Sequence, residues 1–175
     1  MAADAASWQN FYLMTGGAAA ALTGLLFVAL SLQAKAIIGH PLFRDRALAS
    51  LLSLIGGIWL SAAVLIPGQQ PLALGLEVGL VAAFFTIRVT RSALLVRAAN
   101  ARTRRRPGRR WVIEWPIWLL WLATFDASAV ALALGSAFGF QLLAVAILLL
   151  FGLNIWNAWV LIEEVAAQPA EHRVQ

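Results

Sequence analysis

Five apolar runs, each long enough to cross a lipid bilayer as a helix, constrain this chain more than any other feature of its sequence. They are FYLMTGGAAAALTGLLFVALSL (11–32), ALASLLSLIGGIWLSAAVLI (47–66), LALGLEVGLVAAFFTIRVTRSALLV (72–96), WPIWLLWLATFDASAVALALG (115–135) and QLLAVAILLLFGLNIWNAWVLI (141–162). A hydrocarbon core of roughly 30 Å takes about 20 predominantly apolar residues at a helical rise of about 1.5 Å each. Composition agrees, since 62% hydrophobic and 12% charged residues lie outside the range of soluble globular chains. The fold expected is all-α: a polytopic integral membrane helix bundle with five transmembrane helices, forming a single membrane domain over residues 1–175. The stretch before the first run holds no Lys or Arg and has Asp4 as its sole charge. A cleaved signal peptide wants a basic start and a shorter apolar stretch of about 7–15 residues, so the first run reads as a retained span.

The connections between the runs fix an expected orientation. PGQQP (67–71) and SAFGF (136–140) are short and uncharged, whereas QAKAIIGHPLFRDR (33–46) and RAANARTRRRPGRRW (97–111) are basic. All 13 Lys and Arg residues, from Lys35, Arg44 and Arg46 through the Arg88–Arg110 region to Arg173, fall on one side of the map. Basic loops stay cytoplasmic, so the chain is expected with its N-terminus out and its C-terminus in, as a multi-pass protein of the bacterial inner (cytoplasmic) membrane. Trp111, Trp115, Trp156 and Trp159 sit near the expected cytoplasmic boundary and Trp8 near the outer one, where an amphipathic indole is at home among headgroups. Trp111, Trp115, Trp118 and Trp121 also follow helical spacing down the fourth run. That stripe reads as packing surface with an interfacial anchor rather than an aromatic ligand wall.

Helices in lipid associate through close packing and polar contacts, which favours small residues at their interfaces. Ladders of this kind mark Gly16, Ala20 and Gly24; Ser53, Gly57 and Ser61; Gly75, Gly79 and Ala83; and Ala123, Ala127, Ala131 and Gly135. They predict tight packing, with the first and fourth runs also available for a homo-oligomer. GGAAAALTGLLFVALSL (16–32) followed by LIPGQQPLALGLE (65–77) resembles a family of small bacterial membrane proteins, some of which carry the label "modulator of FtsH protease". The resemblance covers mainly residues 11–80 and rests on hydrophobic motifs. It implies a bacterial inner-membrane protein in an accessory role and carries no functional residues with it.

Ionisable residues within a span are costly, which makes them the first candidates for function. Glu77 lies about 10 Å below the expected outer boundary of the third run and Asp126 about 15 Å below that of the fourth. If those helices pack, the two carboxylates could approach, share a proton, and bind a cation or relay protons. The plainer reading is that each is hydrogen-bonded at its own depth, Glu77 by Ser61, Trp59 or Gln141 and Asp126 by Thr23. Arg88, about 27 Å from the outer surface, is expected to snorkel to the cytoplasmic headgroups. Asn154 and Asn157 predict interhelical hydrogen bonds, and Glu163 and Glu164 a weak pairing with the arginine loop.

Enzyme chemistry finds no foothold. The chain has no cysteine, and its 2 histidines, His40 and His172, match no metal-binding pattern. Nucleophile-elbow, phosphate-loop and zinc-protease motifs are likewise missing, so no catalytic role, cofactor or metal is expected. The first functional expectation is a homo-oligomeric ion channel or small-ion transport protein. Its candidate pathway residues are Glu77, Asp126, Thr23 and Lys35, with Thr15, Ser31 and Gln33 lining the first span; Lys35 at the cytoplasmic mouth would disfavour the cations that the acids favour. The alternative is a non-conducting accessory or regulatory subunit of another membrane protein complex, such as a membrane protease. The seven arginines of residues 97–111 read first as topological determinants. Arg102, Arg104, Arg105, Arg106, Arg109 and Arg110 are expected to contact anionic lipid, at about 1 kcal/mol each. Nucleic acid is not an expected partner, because the loop lacks the aromatic stacking platform that single strands require.

Overall fold

The computed structural model describes residues 2–39, 41–103 and 109–166, without the side chains of 2–6, 35–36, 41–42, 92–93, 95–103, 109–115, 161–162 and 164–166. Among the described residues the regular structure is α-helix: α1 (Ala2–Leu32), α2 (Ala34–Gly39), α3 (Pro41–Leu65), α4 (Pro71–Thr103), α5 (Arg109–Ala133) and α6 (Phe138–Ala166). Five of these contain stretches long and apolar enough to cross a membrane, namely Ser7–Leu32, Phe43–Leu65, Pro71–Arg91, Pro116–Ala133 and Phe138–Val160. That set is compatible with an integral, multi-pass membrane protein, and each span lies within a few residues of an apolar run in the sequence. Helix is the form such runs must take in lipid, because it satisfies every backbone N–H and C=O within the segment. The short α2 was not anticipated. Its Ile37 packs with Phe43 and Ala47, backed by Leu30, and this small apolar cluster gives the connection a reason to coil.

The helices group into two compact units, one centred on Ile66–Ala146 and the other on Gln9–Leu65 with the part of α6 from Ile147 onward. In the first unit, α4 and α5 form an antiparallel hairpin. Pro71 opens α4, where its missing N–H and fixed φ cost nothing. α5 stops at Gly135, whose φ of 75° suits a residue without a Cβ. Its carbonyls are closed by Gly135 N–H to Leu132 O and Ser136 N–H to Ala131 O, both 2.9 Å, the paired bonds of a left-handed helix cap.

The α4–α5 seam is close because Gly75 lacks a side chain. A Cβ there would stand 2.5 Å from the Cβ and backbone N of Ala133, and one on Gly79 would meet the Ala129 Cβ at 3.8 Å. Further along, Phe85 packs edge-on to Trp121 with ring centres 5.5 Å apart, and Trp121 lies 5.6 Å from Phe125. Trp121 is 1% exposed, and its indole N–H donates to the Ala146 carbonyl at 2.9 Å, which ties α5 to the start of α6. Gly139 supports the same junction, since a Cβ there would come within 2.7 Å of Leu132.

The second unit is held by hydroxyls and amides. Gly16 lets α1 approach α3 so closely that an added Cβ would lie 3.0 Å from the Ser61 Cβ, and Thr15 Oγ1 shares a 3.2 Å hydrogen bond with Ser61 Oγ. Between α3 and α6, Asn154 donates to Ser53 Oγ at 2.6 Å and Asn157 donates to Ser50 Oγ at 2.7 Å. The interhelical role read from the two asparagines is therefore present, and so is the Ser53–Gly57–Ser61 ladder, all three residues being buried.

Three other ladders need correction. On α1 the packed face is Tyr12, Thr15, Gly16 and Ala19; Ala20 is exposed, and Gly24 has open space where a Cβ would stand. On α4 the buried small residue beyond Gly79 is Ala82, while Ala83 is exposed. On α5 both Ala123 and Ala127 face outward. The reason is competition on a single helix. The large side chains of Trp121, Phe125 and Leu132 gain more from burial than alanine does, and they turn α5 so that Ser128 and Ala129 follow them inward.

Candidate functional site

The intramembrane polar side chains fall into two sets, those that hold helices together and those left on the surface. Thr23, on α1, is half-buried and donates its hydroxyl to the Ala19 carbonyl one turn back at 2.7 Å. Thr15 reaches both Ser61 and the Tyr12 carbonyl, and Ser31 bonds to Val28 O. These three residues advance eight positions at a time, which turns each about 80° round the helix from the last. They do not line one face. Lys35 belongs to α2, but its side chain lies outside the described residues.

Glu77 and Asp126 both belong to the α4–α5 hairpin. The contacts of Gly75 with Ala133 and of Gly79 with Ala129 set the register, which puts Asp126 level with Ala82. Glu77 is five residues away from that level, roughly 7–8 Å along the axis. Glu77 also lies about 200° round α4 from Gly75, on the far side from the α5 seam, where it is half-buried. Asp126 is exposed on α5, about 60° from the Ala129 line. The two carboxylates are thus presented on different flanks of the hairpin. Among the described residues neither makes a hydrogen bond or an ion pair.

Asp126 stands in the middle of an otherwise apolar surface. Along α5 the exposed positions Pro116, Leu119, Leu120, Ala123, Asp126, Ala127 and Val130 recur at helical spacing and form one outward stripe. The antiparallel register and helical phase set Ala83, exposed on α4, beside Asp126 on the same flank of the seam. Gly79 lies just below it. On this flank Gly79 and Ala83 form a low strip beside the carboxylate, edged by the exposed Leu80 and Ile87 of α4 and Leu119 and Val130 of α5. On α4, Thr86 Oγ1 is buried and has no hydrogen-bond partner among the described residues.

Toward the end of α6, Trp156 and Trp159 are exposed, and Trp159 donates its indole N–H to Glu163 Oε1 at 2.9 Å. Both suit an interfacial position, with the ring against lipid and the N–H toward polar groups. Arg104, Arg105 and Arg106 lie outside the described residues; Arg102 closes α4 and Arg109 and Arg110 open α5, with their side chains outside that description. The pairing of Glu163 and Glu164 with this loop falls there too.

Sequence reasoning missed the anchoring role of Trp121. The only signal for it was a tryptophan nearly two helical turns inside the expected interface at Trp115, too deep for its indole N–H to reach water. Compared with known proteins, the chain matches no family model, no curated protein and no solved structure.

Proposed function

We propose that this chain is a non-conducting accessory subunit that binds another membrane protein within the bilayer. The observation that carries the reading is Asp126, an exposed carboxylate in the middle of a transmembrane-length helix, flanked by exposed alanines. On an insertion scale, an aspartate at the centre of a lipid-facing helix costs roughly 2.5–3.5 kcal/mol. A protein covering the face removes that cost, and the small side chains beside it allow a second helix to come close. The ion-pathway reading has less support. The α1 hydroxyls are bonded within their own helix or to α3, and the two acids occupy different flanks of the hairpin.

In the same reading the protein sits in a bacterial inner membrane with the arginine loop on the cytoplasmic side. Arg102, Arg104, Arg105, Arg106, Arg109 and Arg110 then hold anionic headgroups, and the chain has no catalytic activity of its own. The resemblance over residues 11–80 implies the same accessory class.

The test combines liposome flux with mild-detergent purification. Purified protein in liposomes is expected to pass no potassium, sodium, proton or chloride current above protein-free vesicles across a range of voltage and pH. Extraction from native membranes is expected to yield a stoichiometric complex with a different membrane protein. Flux that falls in Glu77→Gln or Asp126→Asn would restore the channel reading, and elution solely as monomer or homo-oligomer would remove the accessory one.

A further inference from the structure

We infer that the groove along α4 and α5 receives a transmembrane helix of a different protein, one carrying a lysine or arginine at the depth of Asp126. The inference rests on the accessory-subunit reading and names the chemistry of its partner. Asp126 lies seven residues from Ala133, roughly 10 Å, and ten from Pro116, roughly 15 Å, along α5. Its side chain has a single methylene, so it cannot snorkel to either headgroup layer as a lysine would. Among the described residues it makes no hydrogen bond or ion pair, and it is exposed. Whatever covers it must bring a donor to that depth, and a cation satisfies a carboxylate most fully.

This chain cannot supply that cation from a second copy. Of its 13 Lys and Arg residues, all but Arg88 and Arg91 lie outside the apolar runs of the sequence. Arg88, the basic residue nearest in level to Asp126 on the hairpin, stands opposite Leu120 by the Gly75–Ala133 register, six residues or roughly 9 Å toward the arginine end. A copy in the same orientation would set one Asp126 against another and bring no cation to that depth. The walls suit a helix as occupant. Gly79 and Ala83 offer little side chain to hold two backbones apart beside Asp126, while Leu80, Ile87 and Val130 give the groove apolar margins.

A defined probe tests this directly. The protein, labelled through a single cysteine introduced at Gln70, is reconstituted with a synthetic Leu–Ala transmembrane peptide bearing one lysine level with Asp126. Control peptides carry leucine or glutamate at that position, and association is read by energy transfer. The lysine peptide is expected to bind roughly tenfold more tightly than the leucine peptide. Asp126→Asn should erase that preference, Asp126→Lys should transfer it to the glutamate peptide, and Val130→Trp should weaken lysine-peptide binding. Leu25→Trp, on the exposed face of α1, should leave it unchanged. Circular dichroism on each variant confirms that the helices are retained. Equal binding of the lysine and leucine peptides overturns the inference, as does Asp126-dependent self-association of labelled copies that excludes the lysine peptide. In the first case the accessory reading still stands if a native partner co-purifies with Asp126→Asn, because the docking face then lies elsewhere.

Discussion

Asn154 shows how a single polar side chain can hold two apolar helices together. Its amide donates to Ser53 Oγ at 2.6 Å and to the Leu150 carbonyl of its own helix at 3.2 Å, while the Ser53 hydroxyl donates to Ser50 O at 2.9 Å. With no water in the hydrocarbon, a lone amide would seek any acceptor, so the bond contributes modestly to stability but strongly to register. Asn154→Leu is expected to lower unfolding stability in mixed micelles by about 0.6 kcal/mol, and by no more than about 2. A double-mutant cycle with Ser53→Ala checks this, because the two losses should be clearly less than additive. Full additivity would mean the bond contributes nothing. Trp121→Phe makes the companion case in the first unit, since it keeps most of the ring and deletes only the donor to Ala146. Its cost should fall in the same range. The asparagine bonds were legible in the sequence because amides deep in an apolar run have few alternatives. The Trp121 bond was not, because its acceptor is a backbone carbonyl that carries no mark in the sequence.

The helices themselves were legible to within a few residues, since length and hydropathy alone dictate where a chain can cross a bilayer. Which face of each helix packs was less so. Small residues recur every four positions on several flanks of α1, α4 and α5, and a ladder shows that close approach is possible without showing where it happens. The outcome was decided by the large side chains, by Trp121, Phe85 and Phe125 in one unit and by Tyr12 in the other. This separates glycines of similar appearance. Gly75→Ala drives a Cβ to 2.5 Å from the Ala133 backbone and should cost about 1–3 kcal/mol through forced separation of α4 and α5. Gly17→Ala and Gly24→Ala meet nothing within 4 Å and should be neutral or slightly stabilising, since alanine is the better helix former. Thermal unfolding of the three variants in one detergent checks the ordering. Loss of stability in Gly24→Ala comparable to that in Gly75→Ala would show that α1 uses its outward face. That result would be informative, because only 11% of the α1 span is buried against 50% of α3.

At the scale of the whole molecule, what the sequence expresses most clearly is an asymmetry of charge, and helix packing does not depend on it. The short turns around Gly68 and Gly135 carry no charge, whereas the sequence from Arg102 to Arg110, at the junction of α4 and α5, holds six arginines. Translocating that many guanidinium groups against a membrane potential that is negative inside is unfavourable, which makes loop charge a determinant of orientation independent of the fold. The candidate site depends on it, because the orientation decides whether the Asp126 groove opens nearer the outer or the inner leaflet, and so which partner helices can present a cation there. The absence of native cysteine makes the orientation measurable without background. Single cysteines at Gln70 and Ser136, both exposed, are expected to react with a membrane-impermeant maleimide in intact spheroplasts. A cysteine at Thr103 is expected to react only in inverted vesicles. Adding two lysines beside Gln70 should weaken this asymmetry, and the mixed labelling that follows would tie orientation to charge. Reversed labelling in the unmodified chain would instead place the arginines outside and move Asp126 into the inner half of the bilayer. A partner's basic residue would then have to be sought on the cytoplasmic side of its own helix.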